Sequence, residues 1–354
     1  MSNLQIGLAI AGGLILAAVV AHGAWSARRN QPKLATAEVA AAQPLAQAVD
    51  GDLAERQEPS FEGESAPGAA SAFVLLPILE KKPGLDALID VIATVVIEGV
   101  VSGEAALAAM PATRRAGSKP YGVEGMNIAS GQWELPAAGQ RYSAFQCGVQ
   151  LANRLGPLNQ IEYSEFVTKT QGFADATGGE PEFPDMLEEV ARARELDQFA
   201  SAHDAQLSFT LCATHTAWSP GYVAQNAAKL GFVAGSIPGR MVLPGLERGA
   251  APLLGLSFDT QAAMAEDPEQ TALREVTLSL DVPQVARDEQ PFVRMRESAA
   301  ALAISMGGEV MDDNANLIAP VAMDVIASEL EQLYDTLDAR DLSAGSVLAR
   351  RLFS

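Results

Sequence analysis

Between Leu4 and Trp25 the chain carries an almost unbroken run of apolar residues, closed by Arg28 and Arg29. At the helical rise of about 1.5 Å per residue this run is roughly 33 Å long, enough to cross the hydrocarbon core of a bilayer. A cleaved secretory leader needs a cationic start, and Met1 to Gln5 holds no Lys or Arg. Residues 1–29 are therefore expected to be a retained transmembrane anchor. Arg28, Arg29 and Lys33 follow the span and no basic residue precedes it. The positive-inside rule then puts the bulk of the chain in the cytoplasm and the N-terminus outside.

Residues 30–72 are rich in Ala, Gln, Glu, Pro and Ser and show no hydrophobic period, the composition of a disordered linker. A coil of about 43 residues has an r.m.s. span of roughly 35 Å, which gives an anchored domain lateral reach. The 44 acidic residues outweigh 24 basic ones, for a net charge of −20. Such a surface serves solubility and repels polyanions, so nucleic acid and anionic headgroups are not expected partners of the soluble part. Cys147 and Cys212 lie in alternating apolar stretches, where a free thiol acts as a small core residue. Two cysteines in a cytoplasmic chain make no disulfide framework.

The remainder reads as an α+β protein in two copies of one plan, a first domain over 73–204 and a second over 205–354. In the second, Gln206 to Ala213 alternates with the period of a half-buried strand, Leu207, Phe209 and Leu211 sharing one side. Ser219 and Pro220 suit the N-cap and first position of a helix striped by Val223, Ala227 and Leu230, and Gly231 suits its end. Strands are expected at Arg240 to Leu243, Leu253 to Phe258 and Val276 to Val282. A helix striped by Met295, Ala299, Leu302 and Met306 ends at Gly307 and Gly308, and a last helix carries Ile326, Leu330, Leu333 and Leu337. The first copy offers strands at Leu88 to Ile97, Tyr121 to Met126 and Tyr142 to Leu151, with helices at Ser102 to Met110 and along Met186, Val190, Ala193, Leu196 and Ala200. The motif A-x-x-x-G-G-E aligns the copies, at Ala174 to Glu180 and again at Ala303 to Glu309. Strand, helix, strands, helix is the split βαβ order, in which helices cover one face of an antiparallel sheet and leave the other open.

No chemistry of catalysis is spelled out, and the chain is not expected to be an enzyme. The three histidines, His22, His203 and His215, have no Cys or His at ligand spacing, so neither a metal nor a cofactor is expected. Gly117, Ser118 and Lys119 lack the upstream glycine and the order of a phosphate loop. Asp312 and Asp313 read as turn residues, because neighbours on a strand point to opposite faces and do not converge. Trp133, Tyr142, Gln146, Gln150, Asn153 and Arg154 interleave with Phe145, Val149 and Leu151. A face bearing Gln146 and Gln150 reads as solvated, or as able to pair with a peptide backbone or the sister domain.

The strand E-V-T-L-S-L-D-V-P, Glu275 to Pro283, and the stretch F-V-R-M-R-E-S-A-A-A-L-A-I-S-M-G-G-E-V-M-D-D, Phe292 to Asp313, resemble the C-terminal FtsZ-binding domain of the bacterial cell-division protein ZipA. The order of anchor, Pro- and Gln-rich tether and terminal domain is similar to that family too, while Leu85 to Asp204 has no counterpart in its short members. The resemblance implies an adaptor of the bacterial inner membrane at the division site, with the C-terminal tail of FtsZ, and other division proteins, as partners. It implies a groove on the exposed sheet face at Met241, Leu243, Leu253, Ser257, Thr277 and Ser279. Where the family strand has a bulky aromatic this chain has Ser279, so the groove is poor in apolar surface; Met241 and Leu243 read equally as ordinary core. A membrane-anchored sensor binding a small ligand or another envelope protein is the alternative.

Overall fold

The computed structural model of the protein describes residues 84–246, 250–267, 271–312 and 316–354. The expected anchor and linker, and Asp313 of the acidic pair, lie outside the described residues. Among those described, no helix is long and apolar enough to cross a membrane.

The fold is α+β, with mixed helices and antiparallel sheets. Its first sheet is built from β1 (Asp90–Ser102), β2 (Arg115–Ala116), β3 (Lys119–Asn127), β4 (Trp133–Glu134), β5 (Arg141–Gln150) and β8 (Gly179–Glu182), in the order β2-β3-β5-β1-β8 with β4 beside β3. Helix α1 (Gly103–Ala109) follows β1, the small hairpin β6 (Ala152–Asn153) and β7 (Gly156–Pro157) follows β5, and α2 (Gln160–Thr177) and α3 (Met186–His203) flank β8. Helix α2 starts at a reciprocal cap, Asn159 accepting from the Glu162 N–H while Glu162 accepts from the Asn159 N–H. It ends at Gly178, whose φ of 68° few side chains tolerate.

The second sheet has β9 (Gln206–Ala213), β10 (Val233–Ala234), β11 (Arg240–Leu243), β12 (Leu254–Ser257), β13 (Glu275–Asp281) and β14 (Gly308–Met311), in the order β10-β11-β12-β13-β9-β14. Its helices are α4 (Pro220–Lys229), α5 (Thr260–Ala263), α6 (Pro291–Met306), α7 (Pro320–Asp338) and α8 (Val347–Leu352). Ser219 caps α4 and Gly307, at φ 72°, closes α6, as the sequence signals require. The six residues of α8 are too few to show a period and had no counterpart in the expectation.

Both sheets are wired alike. The first strand of each lies between the strand before the long helix (β5, β13) and the edge strand after it (β8, β14). The registers agree: Ile97 faces Gly179 as Ala213 faces Gly308, and Thr94 faces Gln146 as Thr210 faces Thr277. Each inner face is apolar. Val91, Ala93, Val95, Phe145 and Cys147 are fully buried beneath α2, where Phe173 meets Phe145 edge-on at 5.1 Å between ring centres. Phe209, Leu211, Leu278 and Leu280 lie beneath α6, with Phe292 at 6.3 Å from Phe209. Alternation along each strand forces this division, since successive side chains point to opposite faces.

Candidate functional site

The outer faces of the two sheets differ, and register decides what each presents. On the second sheet, cross-strand partners point the same way, so Ser208, Ser279 and Gly255 form one row and Thr210, Thr277 and Ser257 the next. Cys212, Glu275 and Glu309 make a third row towards the β14 edge. Ser279 donates from Oγ to the Gly255 carbonyl at 3.3 Å, and a Cβ on Gly255 would lie 2.7 Å from that oxygen. The face is shallow, small and polar.

The six residues expected in a groove do not all come together there. Ser257, Thr277 and Ser279 share this outer face. Met241 and Leu243 pair with Leu256 and Leu254, so they point with Leu278 to the helix-covered side, and Met241 is buried. The core reading of this pair is the one the register supports. Leu253 precedes β12, donates its N–H to the Leu243 carbonyl and is also buried.

On the first sheet the outer face is not open. Its rows are Ile92, Gly148 and Gly122, then Thr94, Gln146 and Glu124, with Asp90 beside Gln150 at the end. The expectation of a free face fails here because two stretches of the chain cover it. One is Gly84 and Leu85, where Leu85 is buried and both N–H groups donate to Glu124 Oε1. The other is α8: Gln150 donates from Nε2 to the Arg351 carbonyl at 2.8 Å, and Arg351 donates to Asp90 and to the Gly84 carbonyl. Gln146 donates to Glu124 Oε2 at 2.8 Å. Gln150 is thus buried and bonded to α8, while Gln146 is half-buried and bonded to Glu124.

Charges elsewhere are committed to structure. Arg154, on the hairpin after β5, reaches Asp204 at 2.6 Å and Asp281 at 2.7 Å. Ser118 donates its hydroxyl at 2.7 Å and its N–H at 2.9 Å to Glu162, so the Gly117–Lys119 turn is closed by a carboxylate where a phosphate loop would need a vacancy. The Lys119 ammonium donates to Asn153 and the Gly156 carbonyl, and burial holds its pKa below the usual lysine range. Burial pushes the Cys147 thiol up to about 11, which keeps it protonated and unreactive. Among the described residues no cluster of His, Cys, Asp and Glu is arranged to hold a metal ion.

These features define an α+β protein of two like-wired antiparallel sheets whose outer faces, one small and polar, one covered from within, carry the distinguishing side chains. Residues 262–329 match the family model described as ZipA, C-terminal FtsZ-binding domain. The matched stretch runs from α5 through β13, α6 and β14 into α7, and it contains the strand and Gly-Gly motif that carried the resemblance in the sequence. That family is a protein-binding one. No curated protein matches the chain.

Proposed function

We propose that the protein is an inner-membrane cell-division adaptor that binds the C-terminal tail of FtsZ and tethers its filaments to the membrane at the septum. The observation that carries this reading is the match of residues 262–329 to the FtsZ-binding family. In this reading two tandem split βαβ modules, over 73–204 and 205–354, stand on a disordered linker behind a single N-terminal span. The tail lies across the outer face of the second sheet, over Ser257, Thr277 and Ser279, with Leu253 at its border and Met241 and Leu243 supporting the strands from beneath. Tethering acts through effective concentration: the linker confines the domain near the membrane, so a weak contact with a filament of many tails is multiplied. The low apolar content of the face fits a weak single-site affinity, because burial of large side chains is the main source of binding energy at such surfaces.

The test is a titration of a labelled FtsZ C-terminal peptide with the full chain in detergent micelles, followed by anisotropy. Saturable binding is expected, and its absence at millimolar protein sinks the reading. Fluorescent fusions should concentrate at midcell; an even distribution along the cell perimeter favours the sensor instead.

A further inference from the structure

The outer face of the second sheet is small and polar at its centre but not at its two ends. At the β10–β11 end Val233 pairs with Val242 and Val242 with Gly255, so the row of Gly255 and Ser279 begins with two valines, the first exposed and the second half-buried. Gly255 lies between Val242 and Ser279 and carries no side chain, which leaves a notch one residue wide with an apolar wall. Arg240 opens the adjoining row, beside Ser257 and Thr277, and is exposed. At the far end Glu275 and Glu309 pair with Cys212 from either side, both exposed and both on this face.

Among the described residues none of these three charged side chains has an ion-pair or hydrogen-bond partner, whereas Asp281, on the same face of β13, is held by Arg154. Strands lie about 4.8 Å apart and alternate residues of one strand about 6.7 Å apart, which puts Arg240 about 12 Å from Glu275 and about 20 Å from Glu309 at the backbone. The two signs are too far apart to satisfy each other. Two carboxylates flanking Cys212 favour a cation placed over that residue, and Arg240 favours an anion at the opposite end. An extended chain crosses these spans in about four to six residues. Charges set out in this way fix the register and direction of a ligand more than its bulk affinity.

Resting on the reading that this face takes the FtsZ tail, we infer that it orients an extended peptide by charge. An acidic residue of the ligand meets Arg240, and a basic residue about four to six positions away meets Glu275 and Glu309 over Cys212. An apolar side chain near the acidic one sits in the notch at Gly255 against Val242. A peptide lying the other way round brings like charges together at both ends, so the face admits one direction across the strands.

Anisotropy titrations of the full chain in detergent micelles test this with three labelled probes. They are the FtsZ C-terminal peptide, a form with every carboxylate changed to its amide, and a form with every Lys and Arg changed to glutamine. Arg240→Gln is expected to weaken binding of the unaltered peptide about three- to tenfold and to leave binding of the amide form unchanged. Glu275→Gln/Glu309→Gln is expected to weaken the unaltered peptide to a similar extent and to leave the glutamine form unchanged. Both losses should fade in molar salt. If the FtsZ peptide binds and neither set of substitutions moves its affinity, the charge reading falls while tail binding stands. If the FtsZ peptide does not bind, tail binding falls, and two designed peptides decide the charge reading: an aspartate and a lysine about five residues apart around a leucine, in either order. One of the two should bind wild type and lose about three- to tenfold with Arg240→Gln. No binding of either, or binding indifferent to Arg240→Gln, overturns the inference.

Discussion

Arg351, on α8, forms a two-pronged ion pair with Asp90, the first residue of β1 and 261 positions earlier: Nη2 lies 2.5 Å from Oδ1 and Nη1 3.0 Å from Oδ2. The Asp90 side chain is fully buried while Arg351 keeps 24 % of its side chain in solvent. The fork fixes orientation as well as charge, since parallel N–H donors match the two carboxylate oxygens. It ties the helix that follows the second sheet to the start of β1, which lies between β5 and the edge strand β8 of the first. Gln284 adds a further tie from the second half, donating to the Phe353 carbonyl at 2.6 Å.

Arg351→Met should leave the Asp90 carboxylate buried without its partner. Breaking a buried pair from one side is strongly destabilising, and with Arg351 partly solvated a loss of about 3 kcal/mol is expected in urea unfolding at neutral pH. Burial already holds the Asp90 pKa above 3.8, outweighing the arginine. A raised folded-state pKa means that the group's contribution is complete below its unfolded value and is lost as pH rises through the folded one. Without the arginine that pKa rises further, so the variant's deficit should shrink as pH falls from about 7 to about 5. A deficit independent of pH would assign the loss to packing.

Glu162 titrates with the opposite sign. Burial alone would raise its pKa, but the Ser118 hydroxyl, the N–H groups of Ser118 and Asn159 and the Lys119 charge together hold it below 4.5. A lowered folded-state pKa gives stability that is present above the unfolded value and lost as pH falls through the folded one. Wild type should therefore lose stability below about pH 4.5 more steeply than Glu162→Gln, which keeps a side-chain acceptor without the charge. Urea midpoints measured from pH 6 to pH 3 check this, and parallel curves would rule out the assigned role.

How much of this was legible depended on the range of the signal. Caps are local, and Ser219 with Pro220 or Gly307 with Gly308 announced helix ends within a few residues. Strand spans were legible to within a residue, because Gln206–Ala213 and the stretch expected at Val276 to Val282, which forms over Glu275–Asp281, alternate cleanly. The face of Met241 and Leu243 was not. A four-residue strand shows that the two share a side, yet only pairing with Leu254 and Leu256 fixes which side that is. The packing of Leu85 over Gly122 and Gly148 was invisible for the same reason, since the two glycines become neighbours only through register. Residues 73–83, like the anchor, lie outside the described residues.

Gly308 is held to glycine by packing. Its missing Cβ would lie 2.9 Å from both the Trp218 ring and the Cys212 carbonyl, and Trp218 is fully buried with its indole N–H donating to the Met306 carbonyl at 3.0 Å. The ring cannot retreat without losing that bond. Gly308→Val should cost about 1–3 kcal/mol, as overpacking does in a rigid core. Thermal unfolding followed by tryptophan fluorescence checks it, and a melting temperature equal to wild type would show that the β14 edge yields.

Ser279 offers the sharpest test of the second sheet's outer face. It is exposed, lies in the row with Ser208 and Gly255, and stands where the resembling family carries a bulky aromatic. If the FtsZ tail crosses this face, Ser279→Phe adds apolar surface for the tail to bury without disturbing the core, whose side chains point the other way. Burying one large side chain contributes about 1.5–3 kcal/mol, so tail affinity should rise about ten- to a hundredfold. Thr277→Arg, in the adjoining row, should weaken the same binding by crowding the face. Anisotropy titrations of the two variants beside wild type decide the matter: if neither substitution moves the affinity, the tail binds elsewhere, and the polar rows of β9, β12 and β13 are solvated surface.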